Sequence, residues 1–355
     1  MQAGATALLA PWFDQRALLD LLKFSPLQLS EQGSPLGGKT AERLLALLTS
    51  SAVRKGSLEK MQFSRCFPDL LRTIGRCIDA DKPLQLTLMA FPFKVPNAAK
   101  VGPRRMPDLA ELIALARLDQ LNAKAKSIYP PGLEIHIIHD GSYIGPVFGV
   151  AVEEVRRYEN YFAQMVRTVG MDRFIHFYDL QALPGGRIFD PTQQEAQLSE
   201  SMLDGWRNSS NRGECKDRFN KTLGMIDLRN LPTTEACRLL DHAVNGGLPP
   251  EYRDLEQRVW NAMLRYHARD SLLHAHDPRP ICFPNAIHMT TQCRPRRLAI
   301  WLVRRGRSLL PWHGVGVVDR NAGWRVALAR DVLWDPSYQP VFVQGEDTPF
   351  FYQQN

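Results

Sequence analysis

No C-x-x-C pair occurs in the chain, although it holds six cysteines at 66, 77, 215, 237, 282 and 293. Cysteines scattered in this way give neither a zinc knuckle nor a disulfide framework, so reduced and mostly structural thiols are expected. No apolar run approaches the roughly 20 residues of a membrane-spanning helix. Met1 to Phe13 lacks the basic start and long apolar core of a secretion signal. A soluble, cytoplasmic protein is the expectation. There is no G-x-S-x-G and no G-x-G-x-x-G, and neither a serine hydrolase, a P-loop enzyme nor an ordinary dinucleotide binder is expected. Internal repeats and low-complexity tracts are also missing.

What remains is ordinary globular composition. At 355 residues with 44% hydrophobic content, the chain is long enough for one large domain or two smaller ones with a sizeable core. The formal charge of +7, with Arg294-Pro295-Arg296-Arg297 close to Arg304-Arg305-Gly306-Arg307, fits three readings. They are a nucleic-acid surface, a solvated basic face, and a positive cleft that concentrates small anionic substrates. No recognition-helix motif and no basic stripe interleaved with aromatics supports the first.

Residues 1–82 alternate helical apolar spacing with breakers such as Ser34-Pro-Leu-Gly-Gly38, and read as an N-terminal helical cap. From Pro83 the pattern changes to short β-rich runs separated by helices. Strands are expected at Leu84 to Phe91, Leu133 to Ile138 and Arg173 to Leu180, with helices from Leu109 to about Ile128 and from Val152 to Val169. This is a right-handed β-α-β-α-β unit. A helical insertion follows at about 181–275. Strands at Leu298 to Val303, Val315 to Val318 and Trp324 to Ala329 are joined by short turns that favour antiparallel pairing. The fold class expected is α/β: a Rossmann-like, mostly parallel sheet flanked by helices, with an N-terminal helical cap and C-terminal antiparallel strands. The division is 1–82 for the cap and 83–355 for the catalytic domain.

Four stretches carry chemistry. Phe91 to Lys100 is a Pro-rich basic loop delivered by a buried strand, which places Lys94, Asn97 and Lys100 where ligands bind an open α/β sheet. Asp140 lies between the second strand and Gly141, either as a functional acid or as the cap of an Asp-Gly turn. Its neighbour His139 is a base, an orienter or a core residue. Pro311-Trp312-His313-Gly314 offers a flat apolar wall and a proton carrier, with a buried structural histidine as the alternative. His274-x-His276 with Asp277 sits at a helix end where i and i+2 side chains diverge, so no metal is expected there.

Taken in order, Phe91-Pro-Phe-Lys-Val-Pro-Asn97 with Lys100, Met106-Pro-Asp-Leu109, His139-Asp-Gly141 and Pro311-Trp-His-Gly314 resemble the isonitrile (isocyanide) synthases, annotated in the broader group as pyoverdine/dityrosine biosynthesis proteins. The similarity runs from about residue 60 to 330. It implies an enzyme of secondary metabolism that condenses an amino acid's amine with the ketone of ribulose 5-phosphate and leaves an isonitrile carbon, with no metal or organic cofactor. It further implies tyrosine or tryptophan as the usual amino acid, a homo-oligomer, and an iron/2-oxoglutarate oxygenase acting downstream. No nucleic acid and no membrane is implied as a partner.

On that reading Lys94, Lys100, Arg104 and Arg105 form a phosphate clamp, and Lys94, Asp140 and His313 are the catalytic set. Asn97 orients a sugar hydroxyl, His139 and Trp312 contact substrate, and Arg117 or Arg212 holds the amino acid's carboxylate. Two departures stand out: Ile287-His-Met-Thr-Thr-Gln292 replaces an Arg-Leu-Ser-Ile-His run, and His139 replaces a serine. A divergent member making another amine-sugar-phosphate product and a non-catalytic basic binding protein are the competing readings.

Overall fold

The computed structural model describes residues 39–57, 63–184, 192–208, 212–245, 248–293, 297–303, 309–320, 323–343 and 345–355. Five strands form an all-parallel sheet in the order β3-β2-β1-β4-β5. They are β1 (Leu84–Met89), β2 (Leu133–His139), β3 (Ile175–Asp179), β4 (Ile287–Thr290) and β5 (Leu298–Ala299). The connection reverses direction between β1 and β4, so a crevice opens beyond their carboxyl ends, where open α/β sheets bind ligands. A second sheet, ordered β7-β6-β9-β8, contains β6 (Val315–Val318), β7 (Trp324–Ala327), β8 (Tyr338–Val341) and β9 (Phe351–Gln354). Within it β6 pairs antiparallel with β7 and parallel with β9.

Five expected strands and both expected long helices stand within a few residues of their places; the helices span Leu109–Lys126 and Val152–Thr168. Asp108 and Glu111 begin the first of these with a reciprocal capping box. Leu298 to Val303 needs correction. Only Leu298–Ala299 is strand, and it pairs parallel with β4 instead of joining the late antiparallel strands. Ile300 instead bridges Arg54. The N-terminal helices Thr40–Thr49 and Phe67–Asp79 bury Leu44, Leu48, Ile74 and Cys77 in the same core as Leu86, Leu88, Ile135 and Ile137. No helix among the described residues is long and apolar enough to cross a membrane.

The chain leaves β1 through Phe91, a non-glycine residue at φ +56°. Such a conformation persists only where packing holds it. Here the fully buried ring packs tilted against Phe162 at 4.5 Å and edge-on against Trp312 at 5.2 Å between centroids. After β2, Gly141 lets the next turn touch the same loop. A Cβ at that position would stand 2.1 Å from the Pro92 carbonyl oxygen and 2.7 Å from a Val155 methyl. Gly141→Ala is therefore expected to destabilise by about 1–3 kcal/mol. Gly75→Ala, at a helical position with nothing within 4 Å, is expected to stabilise by about 0.5–1 kcal/mol. Urea denaturation of the two variants side by side checks both signs.

Candidate active site

A cavity of roughly 120 Å³, partly open to solvent, lies at the carboxyl edge of the parallel sheet. Met89 and Ala90 after β1, Asp140 after β2, and Thr290 and Thr291 at the end of β4 form its floor. One wall is the helix Arg253–Ala275, which contributes Tyr266, Asp270 and His274. Trp312 and His313 form another, and Arg279 and Arg297 border the polar end.

Asp140 is the N-cap residue of the short Gly141–Ile144 helix, yet its side chain makes no capping hydrogen bond. The turn-cap alternative is thereby set aside, and the carboxylate faces the cavity. Burial pushes its pKa up to about 6, Asp270 adds to the rise, and His139 and Arg279 oppose it. His313 is displaced the other way. Burial, reinforced by the charges of Lys100 and Lys94, holds its pKa well below the usual histidine value. The imidazole is thus neutral at physiological pH: a hydrogen-bonding group and not a carried proton.

The expected phosphate clamp is not assembled at the cavity. The Lys94 ammonium is enclosed, 2.9 Å from Asp108, 2.8 Å from Glu111 and 3.2 Å from the Pro311 carbonyl oxygen. Three ammonium hydrogens and three partners leave no donor for a phosphate. Burial, with Glu111 adding and Lys94 opposing, raises the Asp108 pKa to about 7. Arg104 is also spent inside the protein, on the Pro107 carbonyl at 3.0 Å, on Tyr161 at 3.1 Å and on Glu346. Asn97 caps its own short helix by accepting from Ala99 N at 3.1 Å, and its amide donates to the Leu223 carbonyl. Arg105 bonds the Gly102 carbonyl, and its pKa is lowered by burial and by Arg229. Lys100 packs over Gly224, and burial with Arg330 nearby lowers its pKa to about 8.

His139 and Arg117 are likewise internal. The His139 ring lies 2.8 Å from Glu159 and stacks on Phe177 at 4.7 Å. Strand alternation turns it away from the cavity that its neighbour Asp140 faces. Arg117 donates to the Trp301 and Ala52 carbonyls, tying helix Leu109–Lys126 to the chain on either side. The Arg212 side chain lies outside the described residues. Of the expected site, the cavity brings together Asp140, Trp312 and His313.

Three of the four motifs meet around Lys94. Its ammonium joins the loop after β1 to Asp108 of the second motif and Pro311 of the fourth, and Val95 N donates to the Trp312 carbonyl at 3.0 Å. The third motif docks through Gly141 against Pro92. Through these contacts Asp140 and His313 both line one cavity.

The cations that do border the cavity were not singled out from sequence as site residues. Arg279, only 1% exposed, donates Nη2 to Asp277 at 2.7 Å and Nη1 to the Met289 carbonyl at 3.1 Å. Arg297 reaches the same Asp277 oxygen at 3.0 Å. Two guanidinium groups share one carboxylate, and the trio carries net positive charge at the cavity rim. The run of arginines at 294–297 was the available signal for Arg297. For Arg279 the sequence offered only an isolated residue between two prolines. His274 borders the cavity, while Asp277 is committed to Arg279 and Arg297. On β4, the replaced segment places His288 Nδ1 2.8 Å from Thr87 Oγ1, and burial with Arg279 nearby lowers its pKa to about 4.

One stretch does match a phosphate-loop pattern, G-x-x-x-x-G-K-[ST], correcting the expectation that P-loop chemistry has no signature here. It is Gly33-Ser-Pro-Leu-Gly-Gly-Lys-Thr40. Residues 33–38 lie outside the described residues, and exposed Lys39 serves as the cap of helix Thr40–Thr49. Such a pattern has mechanical meaning only between a strand and a helix.

Residues 74–230 match the family model for the pyoverdine/dityrosine biosynthesis protein. The L-tyrosine isonitrile synthase of Pseudomonas aeruginosa is 26% identical over 277 residues, which cover 74% of this chain and 78% of that relative. The isocyanide synthase xanB of Aspergillus fumigatus is 31% identical over 301 residues, 79% of this chain and 38% of the longer relative. The L-tryptophan isonitrile synthase AmbI2 of Fischerella ambigua is 27% identical over 165 residues, 45% of this chain and 49% of the relative. The crystal structure of the PvcA protein from Pseudomonas aeruginosa superimposes with a TM-score of 0.64 at 22% identity, over 89% of this chain and 100% of that one, and shares the fold. Motif order, fold and relatives agree on one likeness: this chain is similar to the pyoverdine/dityrosine biosynthesis proteins, and the relatives it resembles include proteins named as isonitrile synthases.

Proposed function

We propose that this protein is an isonitrile synthase that condenses the amine of an amino acid with the ketone of ribulose 5-phosphate in the cavity at the end of β1, β2 and β4. The observation that carries this reading is the opposed pair in one cavity: Asp140 with its pKa raised to about 6 and His313 held neutral. Groups whose environments push their pKa values apart divide proton transfer from neutral hydrogen bonding. Condensation needs both. Asp140 as carboxylate takes a proton from the attacking ammonium. Asp140 as acid returns one to the departing hydroxyl, while neutral His313 donates to or accepts from the sugar oxygens.

The anionic ends of the substrates go to the rim. Arg297, partly exposed and anchored on Asp277 beside the buried Arg279, presents the positive charge that a phosphate or carboxylate requires. The opposite end, with Phe93, Ile144, Leu273 and Trp312, supplies the apolar wall for an amino-acid side chain. Relatives named as tyrosine and tryptophan isonitrile synthases support an aromatic choice.

Incubating the purified protein with ribulose 5-phosphate and a pool of amino acids, then trapping isonitriles for mass spectrometry, tests the proposal. A trapped isonitrile and released phosphate are expected. A different amine-sugar adduct would identify a divergent chemistry. Absence of sugar-phosphate binding by a folded protein would refute the assignment. Arg297→Ala is expected to raise KM for the anionic substrate roughly tenfold, the scale of one charge-assisted hydrogen bond, with kcat little changed; steady-state kinetics with the sugar phosphate varied provides the check.

A further inference from the structure

At the polar end of the cavity β4 finishes with Thr290, and the chain bends through Thr291 and Gln292. This turn belongs to the segment that replaces the Arg-Leu-Ser-Ile-His run, and with Arg297 it lies outside residues 74–230, the stretch matched by the family model. The register pairs Leu88 with Met289, so Thr290 stands beside Met89 in the row that floors the cavity. Both threonines are more than nine-tenths buried. Gln292 N donates to Thr290 Oγ1 at 3.2 Å, which leaves that hydroxyl its own hydrogen to give. Thr291 lines the cavity, and its hydroxyl has no hydrogen-bond partner among the described residues. The turn is pinned from behind. Lys55 Nζ donates to the Thr291 carbonyl at 3.0 Å and lies 5.3 Å from the centre of the Trp301 ring, while Lys55 N donates to the Ala299 carbonyl at 2.7 Å. Lys55, Arg279 and Arg297 set three cations against the one carboxylate of Asp277, a net charge of about +2 around the turn.

We infer that Thr290, Thr291 and Arg297 form the subsite for the phosphate group of the sugar, with Lys55 as the positioning residue that holds the turn. The assignment rests on the function proposed above and decides which of the two substrate anions goes to the rim. Charge favours phosphate. A phosphate monoester carries roughly 1.5 to 2 negative charges at neutral pH, close to the positive excess around the turn, whereas an amino acid's carboxylate carries one and would leave a cation uncompensated. Shape favours it as well. A tetrahedral phosphate takes single donors from several directions, here two hydroxyls and a guanidinium, while a planar carboxylate is best met by the paired donors of one guanidinium. Distance agrees with both. β1 separates β4 from β2, so Thr290 and Asp140 stand on strands two spacings apart, about 9–10 Å. An extended five-carbon sugar phosphate with a hydrogen bond at each end fills that gap. Its ketone end then lies toward Asp140, and the apolar end of the cavity is left to the amino acid.

Calorimetric titration of the full-length protein with ribulose 5-phosphate, followed by steady-state kinetics of isonitrile formation, tests the subsite. Thr290→Val and Thr291→Val keep the branched shape and remove the hydroxyl. Each is expected to weaken ribulose 5-phosphate binding roughly tenfold or more, the scale of a hydrogen bond to a charged group, while KM for the amino acid stays near the wild-type value. Thr291→Ser, which restores the hydroxyl, should bind nearly as tightly as the wild type. Lys55→Met should raise KM for the sugar phosphate with kcat little changed, and Lys55→Arg should recover it. Inorganic phosphate should compete with ribulose 5-phosphate in the wild type and lose potency in the valine variants in parallel. Unchanged ribulose 5-phosphate affinity in both valine variants overturns the subsite. So does a KM rise shared equally by both substrates, or one confined to the amino acid, which would make this a carboxylate site. In each of those cases isonitrile formation by the wild type still upholds the proposed function. A wild type that binds no ribulose 5-phosphate overturns the proposed function itself, and the subsite with it.

Discussion

Asp140→Asn is expected to lower kcat by roughly 10²- to 10⁴-fold, the range for removing a positioned acid–base group, while substrate binding stays within a few-fold. Asparagine keeps the shape and loses the titrating oxygen. The same substitution is expected to stabilise the fold at neutral pH. Burial raises the folded-state pKa of Asp140 from 3.8 to about 6, so between those values the native state binds more protons than the unfolded one. Stability contributed by this group is present in full below about pH 4 and is lost as pH rises through about 6. At pH 7 the wild type carries a penalty of order 2 kcal/mol that Asp140→Asn removes. The stability difference should therefore shrink to nothing when denaturation is repeated near pH 4. Full activity in the variant would remove Asp140 from the chemistry. A stability loss at pH 7 would mean that its carboxylate is a structural partner.

The second large effect concerns Lys94. Lys94→Ala is expected to cost about 3–5 kcal/mol of stability, because it leaves Asp108 and Glu111 buried without their cation. Neither carboxylate is more than 1% exposed, and Tyr158 also donates to Glu111 at 3.2 Å. Activity should fall with loss of the folded state, since the Lys94 ammonium is what ties the loop after β1 to Pro311. Denaturant titration together with steady-state kinetics separates the alternatives. A normally stable variant with a selectively raised KM for the sugar phosphate would return Lys94 to the substrate site. The contrast with Arg297→Ala matters here, because both residues are cations near the same cavity, yet one is enclosed by protein partners and the other borders the opening.

Much of the fold was legible because the hydrophobic pattern repeats with the period of each element. Leu84, Leu86 and Leu88 alternate as a strand with one core face, and Asp108 to Glu111 is a capping signature before an apolar helix. β4 was not read as a strand because Ile287–Thr290 is four residues long and carries His288 and Thr290 toward the polar side. Its strand character comes from pairing with β1, which is a long-range fact. The late strands β8 and β9 depend in the same way on each other and on β6.

The sequence by itself determined the class of the protein and the neighbourhood of its site. Alternating strands and helices specify a parallel sheet, and such a sheet places Asp140 at a carboxyl edge whatever else the chain does. The order of four motifs carried the resemblance to the isonitrile synthases. Tertiary structure alone decided which charged residues face the cavity. Lysine and arginine look alike in a sequence whether they meet solvent, substrate or a buried carboxylate, because the difference lies in partners 14 to 242 positions away. Lys94 pairs with Asp108 and Glu111, and Arg104 with Glu346. Arg297 was brought to the opening by the pairing of β4 and β5, and it shares its anchor on Asp277 with the buried Arg279. Register completed the choice: one residue separates His139 from Asp140, and the two-residue period of a strand sends one into the core and the other into the cavity.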